Sequence, residues 1–184
     1  MRDPSIFIDI LDARSFASIW YWLGFGLIWT SVTRGAFGIP PAIIRQARRG
    51  DGTAARQLLA WLRLVMPAWR IGGGEGALLA AGIGFLLTSV WVLAFHHGLQ
   101  LPQALVPLLG PLTVLLVLRI RLAWRLDRLT AALDAGSGRI EDVASNAAKL
   151  LIRHRWLGLL LFFLAMLLAM LLAAAWAIRH PMGY

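Results

Sequence analysis

Four histidines, His96, His97, His154 and His180, are the only side chains here with a strong claim on transition metals, because the chain has no cysteine. If the apolar stretches before His96 and before His180 both cross a membrane, His96, His97 and His180 share one side of it. They could then converge as ligands for a metal or a haem. Against that, neighbouring histidines point in different directions on a helix, and neither an HxxxH spacing nor a carboxylate partner accompanies them. The expectation is exposed or interfacial histidines, with no metal and no other cofactor.

Other chemistry finds still less to work with. Without cysteine there is no disulfide, thiolate metal site, iron–sulfur ligation or Cys nucleophile. The polar residues of the apolar stretches include Ser18, Thr30, Thr88, Ser89, Gln103 and Thr113. Such hydroxyls ordinarily bond the preceding helical turn or bridge helices. No Ser-His-Asp set and no carboxylate pair can be assembled from them. The Gly72–Gly76 segment, GGGEG, has no following Lys-Ser/Thr and no preceding strand, so it reads as a hinge and not as a phosphate loop. The chain is not expected to be an enzyme.

What the sequence does concentrate is arginine. The formal charge is +9, from 18 Lys and Arg against nine Asp and Glu. Seven of the basic residues fall in 34–75 and eight in 119–155, fifteen of the eighteen. Arg45, Arg49, Arg56, Arg63 and Arg70 in the first segment, with Arg121, Arg125 and Arg128 in the second, form rows suited to phospholipid head groups or an acidic protein partner. Nucleic acid is not expected as a partner, because no aromatic stacking platform is interleaved with the arginines.

The elements that position these residues are apolar helices. The chain is 59% hydrophobic, with mean hydropathy +0.71. Residues 15–33, 76–95, 99–118 and 156–178 carry no Lys, Arg, Asp or Glu. Each run is close to the roughly 20 residues a helix needs to cross about 30 Å of hydrocarbon. They do not alternate as barrel strands would. The expected fold is therefore all-α, a single polytopic membrane domain over 1–184 with four transmembrane helices. With the acidic flank Asp3, Asp9 and Asp12, the first run is expected to be a retained helix and not a signal peptide. The excess of arginine puts 34–75 and 119–155 in the cytoplasm, with both termini outside a bacterial inner membrane.

Between the spans the periodicity is helical. Residues 3–14 read as a short interfacial helix capped by Asp3 and Pro4. Residues 53–70 place Leu58, Leu59, Leu62 and Val65 on one stripe and Arg56, Arg63 and Arg70 opposite, the pattern of an amphipathic helix in the membrane interface or against a partner subunit. Leu122, Leu126, Leu129 and Leu133 carry the third helix onward to Gly136, and Ile140, Val143, Ala147 and Leu150 begin a return helix, so a cytoplasmic helical hairpin joins spans three and four. Pro107 and Pro111 predict a kink within span three. Small residues recur every fourth position at Gly76, Ala80 and Gly84, and at Ala165, Ala169 and Ala173, giving helices two and four each a close-packing face. The aromatics of Ile19–Trp22 and Trp29 read as interfacial anchors.

The stretches RSFASIWYWLGFGLIWT (Arg14–Thr30), Ile39–Arg49 and LIRHRW (Leu151–Trp156) resemble an alphaproteobacterial inner-membrane family whose members often bear the label "component of the Suf iron–sulfur assembly complex". The resemblance implies a four-span layout over the whole length and, through that label, association with an assembly complex. It assigns no functional residue. The expected function is a non-catalytic accessory or assembly subunit, contacting anionic lipid and other membrane subunits or further copies of itself. The runner-up is a small transporter or channel organised around the kinked third span, and a weaker alternative is a haem- or metal-binding redox subunit using the histidines.

Overall fold

The computed structural model describes residues 18–33, 36–69, 71–136 and 138–179. The expected helix at 3–14, His180, and Arg34 and Arg70 lie outside the described residues. Among these residues six α-helices follow one another: α1 Ile19–Thr33, α2 Pro41–Arg48, α3 Gly52–Val65, α4 Gly73–Trp91, α5 Gln100–Asp134 and α6 Ile140–Arg179. Short tight turns at Ala36–Gly38 and Met66–Trp69 and a π-turn at Val92–His96 connect or extend them. No strand occurs among the described residues. Among the described residues three helical segments are long and apolar enough to cross a membrane: Gly73–His96, Gln100–Asp134 and Ile140–Arg179. The described part of the first apolar run, α1, has 15 residues, about 22 Å of helix.

By its contacts the chain divides into two compact units. The first comprises 1–31, 76–114 and 161–184; the second comprises 32–75 and 115–160. Both α5 and α6 contribute to each.

In the first unit, apolar side chains mostly face outward. Along α4, Leu78 and Phe85 are each 77% exposed, and Val90 is the only buried residue of the helix. Burial is confined to narrow seams. Phe25 and Trp29 of α1 stack on Phe162 of α6 with ring centroids 6.4 and 5.7 Å apart. Ala165 and Ala169 are fully buried. The Tyr21 hydroxyl donates to the Ala104 carbonyl at 2.9 Å, a bond that holds α1 to α5. Trp29 is thus a seam residue at 1% exposure, not an interfacial anchor, whereas Trp20 is 77% exposed. Helix α5 continues through Pro107 and Pro111. In the π-turn, the Gln103 amide donates to the Ala94 carbonyl at 2.8 Å and so satisfies an acceptor that the widened turn frees.

The second unit is built the other way round. Its core gathers Ala54, Ala55, Leu58, Leu59 and Leu62 of α3 against Leu122, Ala123 and Leu126 of α5 and Ala144, Ala147, Ala148 and Leu151 of α6. The stripe expected to lie in a membrane interface is therefore inside the chain's own core. Leu58 and Leu62 are fully buried and Leu59 nearly so. Amphipathic periodicity requires an apolar cover, and here α5 and α6 supply it.

Local signals start and stop these helices. The Asp51 side chain accepts from the Thr53 and Ala54 amides and caps α3. These bonds hold the Asp51 carboxyl below its usual range, the Thr53 hydrogen bonds first. The Glu75 carboxylate accepts from the Gly72 amide at 3.3 Å, so the glycine-rich stretch serves as the entry to α4. Gly136, at φ +79°, takes the left-handed conformation that ends α5.

Candidate functional site

The functional candidates gather in the second unit, on the framework that α2, α3, α5 and α6 provide. At its centre stands Arg119 of α5. Its guanidinium donates to the Val32 carbonyl in the last turn of α1 at 3.0 Å, where a cation complements the helix dipole. The same group lies over two rings, 6.0 Å from the Phe37 centroid and 5.6 Å from that of Trp69. The two rings meet edge to face, 5.4 Å apart. Phe37 sits at φ +62°, a left-handed conformation costly for an aromatic residue. Burial of its ring and donation from the Trp61 indole to its carbonyl at 3.3 Å hold it there. A cavity of about 10 Å³ adjoins Arg119, lined by Thr33, His154 and Arg155 among others, and its size is that of one water molecule. His154, which precedes the last apolar run, is 7% exposed. Burial first, and the Arg119 charge second, push its pKa below the ordinary histidine value.

Two larger grooves flank α6. The first, about 430 Å³, lies between α2 and α6. Pro41, Ile44, Arg45 and Arg48 line it from one face of α2, and Leu151, Ile152, Arg155, Trp156 and Leu159 from one face of α6, with Ile39 beside them. The second, about 220 Å³, lies between α5 and α6, where Arg121, Arg125 and Arg153 stand over Leu118, Leu122, Leu150 and Leu157 with His154. Each groove combines three guanidinium groups with an apolar floor. Such groups hold anions by charge and by paired hydrogen bonds.

The expected arginine rows are therefore distributed. Arg45 enters the first groove, and Arg121 and Arg125 enter the second. Arg49, Arg56, Arg63 and Arg128 are exposed elsewhere on the unit. Arg63 is ion-paired with Asp134, and Arg56 turns back to the Gly52 carbonyl of its own helix. Arg48, Arg153, Arg155 and Trp156 join the grooves without having been singled out in the sequence. The available signal was the Arg155–Trp156 step, where the basic segment gives way to the uncharged run.

The small-residue faces also differ. Ala165 and Ala169 are fully buried and Ala173 half-buried, whereas Ala80 and Gly84 are exposed and Gly76 half-buried. A Cβ built on Gly84 would meet nothing within 4 Å. Among the described residues no three His, Cys, Asp or Glu side chains come together as a metal site. The His96 and His97 rings lie edge to face, 5.1 Å apart.

The helices and the basic unit together define an all-α membrane protein with a compact arginine-bearing helical unit. No protein-family model, curated protein or solved structure matches the chain.

Proposed function

We propose that the protein is a non-catalytic accessory or assembly subunit of a larger bacterial inner-membrane complex, with α4 as the helix that meets the neighbouring subunit. The observation that carries this reading is the open small-residue face of α4. In lipid, faces of small residues every fourth position favour close helix contact. The corresponding face of α6 is filled at Ala165 and Ala169, while no described residue covers Ala80 and Gly84.

In this reading α1 is the described part of a fourth crossing, both termini are periplasmic, and 34–75 and 119–155 are cytoplasmic. The excess of arginine in those two segments supports that orientation. Cysteines introduced as His97→Cys and Met182→Cys then react with an impermeant reagent in intact cells. Reaction only after the membrane is broken reverses the orientation.

Purification from native membranes in a mild detergent tests the subunit reading. A membrane-protein partner is expected to co-purify and to be lost from the Ala80→Leu and Gly84→Leu variants. The iron–sulfur assembly complex is the first partner to look for, given the family resemblance. A strictly monomeric protein with no companion overturns the proposal.

A further inference from the structure

We infer that the groove between α2 and α6 is a binding site for one anionic phospholipid, with its phosphate on Arg45, Arg48 and Arg155 and its upper acyl chain on the apolar floor. Arg45 and Arg48 are three residues apart on α2 and share a face. Arg155 approaches from α6, and all three line the same groove of about 430 Å³. That volume falls within the roughly 300–1,000 Å³ of small-molecule sites. Among the described residues none of the three has an ion pair or a side-chain hydrogen bond, and no carboxylate lines the groove. The groove thus presents three exposed cations and no anion of its own, a surface that an anionic occupant complements.

The floor decides what kind of anion it is. Ile44, Leu151, Ile152 and Leu159 offer a free phosphate nothing, but they suit a ligand that is charged at one end and apolar at the other. Trp156, 68% exposed at the groove, is the residue type that settles at the boundary between head groups and acyl chains. An acidic peptide would satisfy the arginines but would bring polar backbone onto this floor, at a desolvation cost. Three guanidinium groups further favour a headgroup with more than one negative charge, so cardiolipin should outcompete phosphatidylglycerol. The inference does not rest on the subunit reading, because a monomer can hold the lipid.

The test is native mass spectrometry of the full-length protein in detergent, with added cardiolipin, phosphatidylglycerol or phosphatidylcholine. Wild type is expected to retain one cardiolipin under conditions that strip phosphatidylcholine. The Arg45→Gln/Arg48→Gln/Arg155→Gln variant should lose at least tenfold in bound fraction. A matched variant, Arg56→Gln/Arg128→Gln/Arg139→Gln, removes the same charge outside the groove and should bind as wild type does. Should the groove variant fail to fold, Arg155→Gln alone is expected to weaken retention severalfold while leaving the helical circular dichroism unchanged. Equal losses in the groove and matched variants would mean diffuse charge attraction and overturn the site. Displacement of the lipid by millimolar inorganic phosphate, or by an acidic peptide, would overturn the amphiphile assignment. Retention of phosphatidylcholine equal to that of cardiolipin would also sink it.

Discussion

Leu64 and Phe85 are almost equally bare, at 78% and 77% exposed, yet they belong to units built on opposite plans. Around Leu64, in the second unit, leucines and alanines of α3, α5 and α6 turn inward and the described arginines other than Arg119 turn outward, the arrangement of a water-soluble helical domain. Around Phe85, in the first unit, leucine, phenylalanine and tryptophan turn outward and only thin seams are covered. The same exposure has two meanings because the two surfaces suit different solvents. In water, burying apolar area drives packing at about 25 cal/mol per Å². In lipid that drive disappears, and close contact of small residues takes its place.

The sharpest break of this comparison is to truncate the second unit's core. Leu62 is fully buried among α3, α5 and α6. Leu62→Ala is expected to destabilise by about 2–5 kcal/mol in denaturant unfolding. Phe85→Ala, which leaves no protein cavity, should lie within about 0.5 kcal/mol of wild type. Equal losses would mean that α4 is packed after all.

A charge separates the two solvents more directly. Phe85→Arg puts a cation near the middle of an uncharged run and should raise the cost of membrane insertion by about 2.5–3.5 kcal/mol, read from the inserted fraction in a translocation assay. Leu64→Arg should change stability by less than about 0.5 kcal/mol. If Leu64→Arg proves as disruptive, then that face of α3 is covered by lipid or by another chain.

Within the first unit, the two small-residue faces can be set against each other. Ala165→Leu forces three carbons into a filled seam and should cost about 1–3 kcal/mol. Ala80→Leu should leave the melting temperature of the isolated protein unchanged and act only on retention of a partner. A matching loss of monomer stability would place the α4 face inside the chain's own packing.

Much of this comparison was legible in the sequence, and the unreadable part has a physical cause. Charge-free runs announce helices that tolerate lipid, and the 4-3-4 leucine spacing from Leu122 to Leu133 falls within the single helix Gln100–Asp134. Periodicity cannot name the cover, however. Leu58, Leu59 and Leu62 look the same whether a membrane, a partner or the chain's own α5 and α6 lies over them. Trp29 reads as an anchor by position and becomes a seam residue only because Phe162 meets it. The groove is hidden for the same reason: Arg45 and Arg155 are 110 positions apart, and only the packing of α2 beside α6 puts them on one cavity.

The smallest expected effect tests how dry the second unit is near Arg119. His154 is buried, and its pKa lies below the ordinary histidine value of about 6.5 because burial and the Arg119 charge both disfavour the imidazolium. Above that value the folded and unfolded chains are both neutral here, and the stability contribution is complete. As pH falls through the ordinary value, the unfolded chain takes up a proton that the folded chain resists. Stability then declines until the folded pKa is passed. The melting temperature should therefore be lower at pH 5 than at pH 7. Most of that slope should vanish in His154→Phe, because every other titratable group is common to both proteins. A slope unchanged by the substitution would mean that water reaches His154, and that the second unit is less closed around Arg119 than its core residues make it.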